Sequence, residues 1–384
     1  MSLDIVPSKT EDEAIKEVLT RILSNKYKRD VRITSFLREE ITNWHRSVLS
    51  RLYLQLDSCD ETTVIVKQFN PDYFGAPGEG EDFIVAQEAL GRILSGKRIA
   101  PEFYGTVCDV EKRRYWLFME DLGENLRFRR EYFANEEMKH CLGLVEKLAK
   151  IHLLSVEKEE ELKALGGGGS DMYKSAWRDG CESAIEKVPD NIETIVQTGK
   201  FPWLNEMATD FAAIMEPCRS TIDSLVSWPF CFTHGDRNNP ENMVIGREGE
   251  EPIYYFIDWD DVAFRPVLDD LVDFLNYQST PCHTDDFADF GYGREETEEL
   301  ALIERYWECV RGSSFVPEDL EECLMMYKYS KLMHTIRCIC LHSECFIQSQ
   351  FGEVRREGEI QRAIPVAIKL AKELQMLGLS SFLG

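Results

Sequence analysis

The sequence contains no apolar stretch of about 18 residues, the length needed to cross a membrane. Its N-terminus, Met1–Pro7, lacks the basic and apolar regions of a secretory signal peptide. The twelve cysteines follow no regular spacing, so we expect reduced thiols rather than a disulfide framework. These absences favour a cytoplasmic protein.

Positive charge is also scarce. Against 69 Asp and Glu there are 44 Lys and Arg, which gives a formal net charge of −25. Nucleic acid and anionic membranes would repel such a chain, so neither is an expected partner. The charge suits a cationic substrate, although an acidic surface also keeps a protein soluble, and charge alone does not identify the substrate.

The apolar content is ordinary, with 43% hydrophobic and 11% aromatic residues, and predicts a substantial core. The length of 384 residues exceeds a typical domain of about 100–200 residues, so two lobes are expected. A change in hydrophobic pattern places the boundary near residue 122. We predict one lobe over residues 1–122 and a mainly helical lobe over residues 123–384.

Periodicity predicts the elements of each lobe. In the first lobe, a capping box at Thr10–Glu13 begins an amphipathic helix that runs to about Ser24. One further helix among strands indicates a mostly antiparallel sheet. The predicted strands are 48–56, 62–69, 103–108 and 115–119, and the further helix is 82–94. The helices predicted in the second lobe are 138–154, 171–186, 205–227, 294–312, 317–348 and 357–377.

The most informative segment is Phe232–Asp236, which reads Phe-Thr-His-Gly-Asp and is followed by Asn242 and by Phe256–Trp259, Phe-Ile-Asp-Trp. Each apolar run ends at a carboxylate, Asp236 or Asp258, and an amide lies between them. Phosphoryl transfer needs such a set. One acid orients the attacking hydroxyl, while the other acid and the amide hold Mg²⁺.

This arrangement resembles the catalytic centre of the aminoglycoside phosphotransferase and choline kinase superfamily, whose signature runs His-Gly-Asp, a short loop, Asn, and a strand ending in Asp-Trp or Asp-Phe. The resemblance implies a bilobal, protein-kinase-like α+β fold. A small antiparallel β lobe with one main helix (residues 1–122) would bind the nucleotide, and the helical lobe (residues 123–384) would carry catalysis and substrate. The implied cofactors are ATP and Mg²⁺, and the implied acceptor is an alcohol group of a small molecule.

Carried over residue by residue, the resemblance makes Asp236 the catalytic residue, with His234 and Arg237 supporting its loop. Asn242 and Asp258 would be the Mg²⁺ ligands. Asn242 falls one position later than the family's usual asparagine. Either the loop bulges by one residue, or Asn238 or Asn239 takes part of the role.

In the first lobe, Lys67 stands where the family places its strand lysine, and Glu88 where a helix glutamate pairs with that lysine. Backbone groups near Glu120 and Leu122 would hold the adenine. The expected nucleotide-covering loop, about residues 35–48, contains no glycine, so side chains would have to replace backbone N–H groups. The candidates for this are Ser35, Thr42, Asn43 and Arg46.

Substrate clues come from an acidic stretch, Asp258–Asp273, which contains six aspartates and one arginine. In the family this part helps to line the acceptor site, so Asp260, Asp261 and Asp270 are candidates for binding an amine or a quaternary ammonium. Asp270 could instead anchor a turn through hydrogen bonds. The implied substrate is an aminoglycoside, a choline-like alcohol or another amino alcohol. Aromatic residues on the later helices could contribute, although helical aromatics usually pack in cores: Tyr306, Trp307, Tyr327 and Tyr329.

Three other interpretations were considered. A protein kinase is disfavoured because Gly235 replaces that family's arginine and because the segment from Asp258 to Pro266 is too short for an activation loop. A catalytically weak or dead, pseudokinase-type nucleotide-binding module that regulates a partner is the alternative from another class. Four residues of zinc-ligand type share a helix face, but such residues are often simply buried, and we predict no zinc site: His334, Cys338, His342 and Cys345.

Overall fold

A computed structural model describes residues 9–43, 45–58, 60–123, 127–128, 138–158, 161, 169–235, 242–248, 251–276, 296–348 and 353–376. The chain divides into two compact units. The first is Met1–Arg127 with Val244–Ile257, and the second is Phe128–Met243 with Asp258–Gly384. The sequence did not suggest that 244–257 would group with the N-terminal part. The lobes 1–122 and 123–384 stay a prediction.

The first unit is built on a five-stranded antiparallel sheet with the strand order β1-β2-β3-β5-β4. One helix, α2, is inserted between β3 and β4, as the sequence predicted. The elements are α1 (Lys9–Tyr27), β1 (Ile33–Asn43), β2 (Ser47–Leu56), β3 (Glu61–Phe69), α2 (Pro77–Leu94), β4 (Phe103–Asp109) and β5 (Arg114–Glu120).

Both faces of this sheet are covered by helices. Val66 and Phe118 pack with Leu19 of α1 on one face, and Tyr115 packs with Ile84 of α2 on the other. Because side chains alternate along a strand, neighbouring residues of β3 and β5 serve opposite faces. This explains why both strands read as nearly continuous apolar runs.

Strand β1 was not predicted. Residues 35–43, which the sequence suggested as part of a nucleotide-covering loop, pair with β2 in a long antiparallel hairpin, and Glu39 lies opposite Arg51. β1 is an edge strand whose side chains are mostly exposed, so it lacks the apolar alternation that marks a strand in a sequence.

The second unit is mainly helical. Its elements are α3 (Met138–Glu157), α4 (Gly169–Gln197), α5 (Pro202–Ala213), α6 (Met215–Ser227), β7 (Phe230–Thr233), β10 (Ala263–Pro266), α7 (Asp269–Asn276), α8 (Glu296–Val310), α9 (Leu320–Ile347) and α10 (Glu353–Met376). Three further strands form a sheet with the order β6-β8-β9: β6 (Arg127–Phe128), β8 (Met243–Glu248) and β9 (Glu251–Phe256). Nearly all of β8 and the whole of β9 belong to the first unit.

The helix predicted over 205–227 is two helices. Pro217 lies in the first turn of α6, where it needs no backbone N–H, but it would break a helix that continued from α5. Buried residues from five helices form the core of this unit: Ile185, Phe211, Ile222, Ile336 and Ile364. Among the described helices, none combines the length and apolar character needed to span a membrane.

Candidate active site

The His-Gly turn follows a short buried strand. β7 pairs antiparallel with β10, and Phe232 and Thr233 are almost completely buried. The Thr233 hydroxyl donates to the Ala263 carbonyl at 2.9 Å. The pairing of β7 with β10 fixes the position of the end of β7, and His234 and Gly235 follow directly. Gly235 has a φ of +90°, a left-handed conformation that favours glycine.

The next residues, including Asp236 and Arg237, lie outside the described residues. Their catalytic and supporting roles stay predictions. The structure describes the chain up to His234 and Gly235, the two residues before Asp236.

A buried carboxylate holds the turn. Asp270 is 0% exposed, and its Oδ2 accepts the backbone N–H of His234 at 3.0 Å. The same oxygen lies 3.3 Å from Nε2 of His152, whose Nδ1 lies 2.6 Å from the Tyr306 hydroxyl. A carboxylate removed from water needs such partners, so this network stabilises the turn directly before Asp236.

The protonation of this network follows from burial. Burial raises the pKa of the Tyr306 phenol well above its usual value, so Tyr306 stays neutral and can donate its proton to Nδ1 of His152. The other ring nitrogen, Nε2, faces the Asp270 carboxylate, to which it can donate. The carboxylate thus accepts hydrogen bonds from His152 and from the His234 backbone.

Full burial removes Asp270 from the substrate candidates, because a small molecule cannot reach it. Its contacts fit the other role considered for it, the anchoring of a turn. Asp269 and Asp273 are also buried, and Asp269 lies 3.7 Å from Arg337. Asp258 is exposed and Asp260 is partly exposed. The acidic stretch therefore divides into an internal set on α7 and an accessible set before β10.

Asp258 has an unusual backbone conformation. Its φ of +63° and ψ of +64° are left-handed, which is uncommon outside glycine but tolerated by aspartate. The chain turns here from β9 into a one-turn helix, Trp259–Asp261. Trp259 is buried, and its ring centroid lies 4.5 Å from that of His234. Strained residues of this kind are common at functional sites.

Asn242 is buried and directly precedes β8, while Asp258 follows β9. β8 and β9 are paired neighbours joined by two residues, which requires an antiparallel hairpin. The start of β8 and the end of β9 therefore lie at the same end of that hairpin. An amide oxygen and a carboxylate are hard ligands of the kind that Mg²⁺ prefers, so these residues fit the ion.

In the first unit, Lys67 lies on β3 and is 8% exposed. By alternation it faces the same side of the sheet as Phe69, which packs on the α2 side, and its ammonium lies 5.2 Å from the Phe69 ring centre. A nearly buried ammonium has a strong preference for a negative partner. The role of Lys67 in holding a phosphate stays a prediction.

Glu88 lies on the side of α2 that faces the sheet, because it contacts Thr106 of β4. That face contains Gly80, Ile84 and Gln87 at helical spacing, and Gln87 is 5% exposed. One carboxylate oxygen of Glu88 accepts from the Thr106 hydroxyl at 2.7 Å, and the other contacts Arg92. The pairing of Glu88 with Lys67 stays a prediction, and Gln87 is a candidate that the sequence did not suggest.

The predicted adenine-binding segment begins at the end of β5. The backbone N–H of Glu120 donates to the Glu102 carbonyl at 2.8 Å, so this N–H is engaged within the protein. The next residue, Asp121, pairs with Arg51 through contacts of 2.7 and 3.2 Å. Burial lowers the pKa of the Arg51 guanidinium, but the hydrogen bonds to Asp121 help to raise it, and the net result is a pKa above its usual value. This pair ties β2 to the segment that leads to Leu122.

The described residues include no group of three or more His, Cys, Asp or Glu side chains arranged to hold a metal ion. The aromatic substrate candidates on the later helices are mostly internal, which fits packing. Tyr306, Tyr327 and Tyr329 are buried, and the Trp307 indole donates to the Pro317 carbonyl at 3.1 Å.

A model of the phosphotransferase enzyme family matches residues 51–303, which is more than half of the chain and includes Lys67, Asp236 and Asp258. The chain belongs to the phosphotransferase enzyme family. This places the His-Gly-Asp, Asn and Asp-Trp segments within a recognised phosphotransferase and confirms the family resemblance. No curated protein matches the chain.

Solved structures share the fold at low sequence identity. An ethanolamine kinase from Plasmodium vivax has a TM-score of 0.54 at 13% identity, covering 96% of this chain and 91% of that one. A choline kinase from Cryptosporidium parvum Iowa II has a TM-score of 0.54 at 12% identity, covering 96% of this chain and 98% of that one. These similarities confirm the predicted kinase-like α+β fold.

Proposed function

We propose that this protein is an ATP- and Mg²⁺-dependent small-molecule kinase that phosphorylates a hydroxyl of a small cationic alcohol. The observation that carries the proposal is the turn before Asp236. This turn is held by Asp270 and contacts Trp259, the residue after Asp258. The chain that contains it belongs to the phosphotransferase enzyme family. The support for a small alcohol is the shared fold of an ethanolamine kinase and a choline kinase.

In the proposed reaction, Asp236 accepts a hydrogen bond from the substrate hydroxyl and aims its oxygen at the γ-phosphate of ATP. An exposed aspartate has a pKa near 3.9 and is a weak base, so orientation contributes more than proton affinity. His234 and Arg237 support this loop. Asn242 and Asp258 would hold Mg²⁺, which supplies neutralising charge to the phosphate oxygens.

Residues of the first unit would bind the nucleotide. Lys67 pairs with the α- and β-phosphates, and Glu88 or Gln87 orients it from α2. The Glu120 carbonyl accepts from the exocyclic amine of adenine, and the Leu122 N–H donates to the ring. The hairpin β1–β2 has no glycine to bring its backbone onto the phosphates, so Lys67 and Mg²⁺ carry more of that binding.

The acceptor site would use the acids that precede β10. Asp260 and Asp261 are the candidates that remain for an ammonium group, because the acids on α7 are internal. Aminoglycosides, choline-like alcohols and other amino alcohols carry both the cation and the hydroxyl that this arrangement requires.

A panel screen tests the proposal. The purified protein is incubated with Mg²⁺ and either ATP or GTP, and with cationic, neutral and anionic alcohols, and phosphorylated products are detected by mass spectrometry. We expect products from cationic alcohols with ATP. Products from neutral or anionic alcohols alone would exclude a cationic acceptor, and nucleotide binding without turnover across the panel would favour the pseudokinase-type module.

A further inference from the structure

A cysteine, a histidine and an aspartate form a chain of contacts in the second unit. On α9, Nε2 of His334 lies 3.3 Å from Sγ of Cys338, which is one helical turn later. Nδ1 of the same histidine contacts Oδ1 of Asp273 on α7. None of these three side chains belongs to the residues proposed for phosphoryl transfer, so the cluster requires its own explanation.

The contacts determine where the histidine carries its proton. Asp273 is 3% exposed, and its carboxylate lies against Nδ1 of His334, which favours a proton on Nδ1. In the neutral imidazole, Nε2 then has a lone pair directed at the Cys338 thiol. Transfer of the thiol proton to Nε2 creates a thiolate beside an imidazolium. The Arg337 guanidinium is also within Coulombic reach of Cys338 and favours the thiolate.

Four other described cysteines lie in environments that disfavour the thiolate. Burial raises the pKa values of Cys181, Cys218 and Cys323 to about 12, so these thiols are protonated and inaccessible. Cys108 is exposed, but partial burial together with Glu81 and Asp109 raises its pKa. Cys338 is partly exposed and lies beside a base instead of an acid.

We propose that Cys338 is a nucleophilic thiol that is modified by small disulfides. The Cys338 thiolate attacks one sulfur of R–S–S–R, a new S–S bond forms to Cys338, and the original S–S bond breaks. The leaving thiolate RS⁻ takes the proton that His334 received from Cys338. Cys338 and one RS group end as the mixed disulfide Cys338–S–S–R, and the other RS group is released as the reduced thiol RSH.

The test measures the labelling rate at each cysteine of the full chain. A neutral dipyridyl disulfide is used, so that the acidic charge of the protein does not affect its approach. After short exposures at neutral pH, the protein is quenched with acid and the labelled peptides are quantified by mass spectrometry. We expect Cys338 to react at least about tenfold faster than the more exposed Cys108.

Substitutions separate the histidine effect from exposure. His334→Gln should slow labelling at Cys338 by about tenfold while Cys108 is unchanged, because the thiolate then lacks its base. His45→Gln, at an exposed histidine of the first unit, should change neither rate.

Cys108 labelling as fast as Cys338 in the wild-type protein would overturn the proposal, and so would an unchanged Cys338 rate in folded His334→Gln. If that variant is unfolded by circular dichroism, the wild-type ratio alone decides. The readout uses no ATP, so it is independent of the proposed phosphotransferase activity.

Discussion

At the residue scale, each candidate carboxylate can be separated by what it contacts. Asp270 touches a backbone N–H and a buried histidine, so its effect on a reaction acts through the position of the His234 turn. Asp258 is exposed in a left-handed conformation at the end of a hairpin, where it can reach a ligand. The same residue type therefore serves two purposes within one short stretch.

We predict that Asp258→Ala lowers kcat by roughly a thousandfold or more, because the proposed Mg²⁺ site loses its carboxylate. Steady-state assays with saturating ATP and acceptor measure this effect. Asp179→Ala, at an exposed position of α4, is the matched control and should leave kcat unchanged. Near-normal turnover in purified Asp258→Ala would remove Asp258 from the metal site.

Asp270→Ala should lower the free energy of unfolding by roughly 3 kcal/mol, because the His234 N–H and His152 lose a buried acceptor. Urea denaturation followed by circular dichroism measures the change. Asp179→Ala should shift it by less than about 0.5 kcal/mol. Equal stability of the two variants would show that the buried network does not hold the turn.

The sequence predicted some of these residues better than others. The His-Gly-Asp and Asp-Trp segments stand out because they combine apolar strands with acids. Burial of Asp270 does not show in the sequence, because its partner His152 lies on α3, more than a hundred residues earlier. Gln87 was missed for a similar reason, since its burial on α2 does not show in the sequence.

At the element scale, apolar periodicity predicted those elements that bury a continuous face. α1, α2, β2, β3 and β5 were predicted for this reason, and each contributes buried side chains to the first unit. β1 was missed because an exposed edge strand shows no such pattern. The break between α5 and α6 was missed because apolar residues continue through it, although Pro217 marks it.

The packing of α2 on the sheet can be tested with two glycines of the same helix. A Cβ at Gly80 would lie 2.6 Å from the Tyr115 ring, whereas a Cβ at Gly78 would meet nothing within 4 Å. Gly80→Ala should therefore lower the free energy of unfolding by about 1–3 kcal/mol, despite alanine's higher helix propensity. Gly78→Ala should leave it unchanged or raise it by less than about 1 kcal/mol. Urea denaturation of both variants checks this, and a stabilised Gly80→Ala protein would contradict the packing.

At the scale of the whole molecule, the net charge of −25 creates a field that attracts cations. The family and the fold could be predicted because the motif order spans most of the chain. The acceptor could not, because three acids of the acidic stretch were suggested for it, Asp260, Asp261 and Asp270, and the last of them is buried.

Salt dependence tests the contribution of this charge. The Debye length falls from about 10 Å at 0.1 M to about 3 Å at 1 M ionic strength. With ATP saturating, we predict that kcat/KM for a cationic alcohol falls by about tenfold over this range, because screening removes the attraction. The value for a neutral alcohol should change by less than about twofold. Equal salt dependence for the two acceptors would show that charge does not guide substrate binding.

The most direct measurement of the central claim compares the wild-type protein with Asp236→Ala in one reaction containing ATP, Mg²⁺ and the best alcohol from the screen. The wild-type protein should form ADP and phosphorylated alcohol in equal amounts. Folded Asp236→Ala should form both at least about a thousandfold more slowly. Phosphorylated alcohol produced at the wild-type rate by Asp236→Ala would contradict the account.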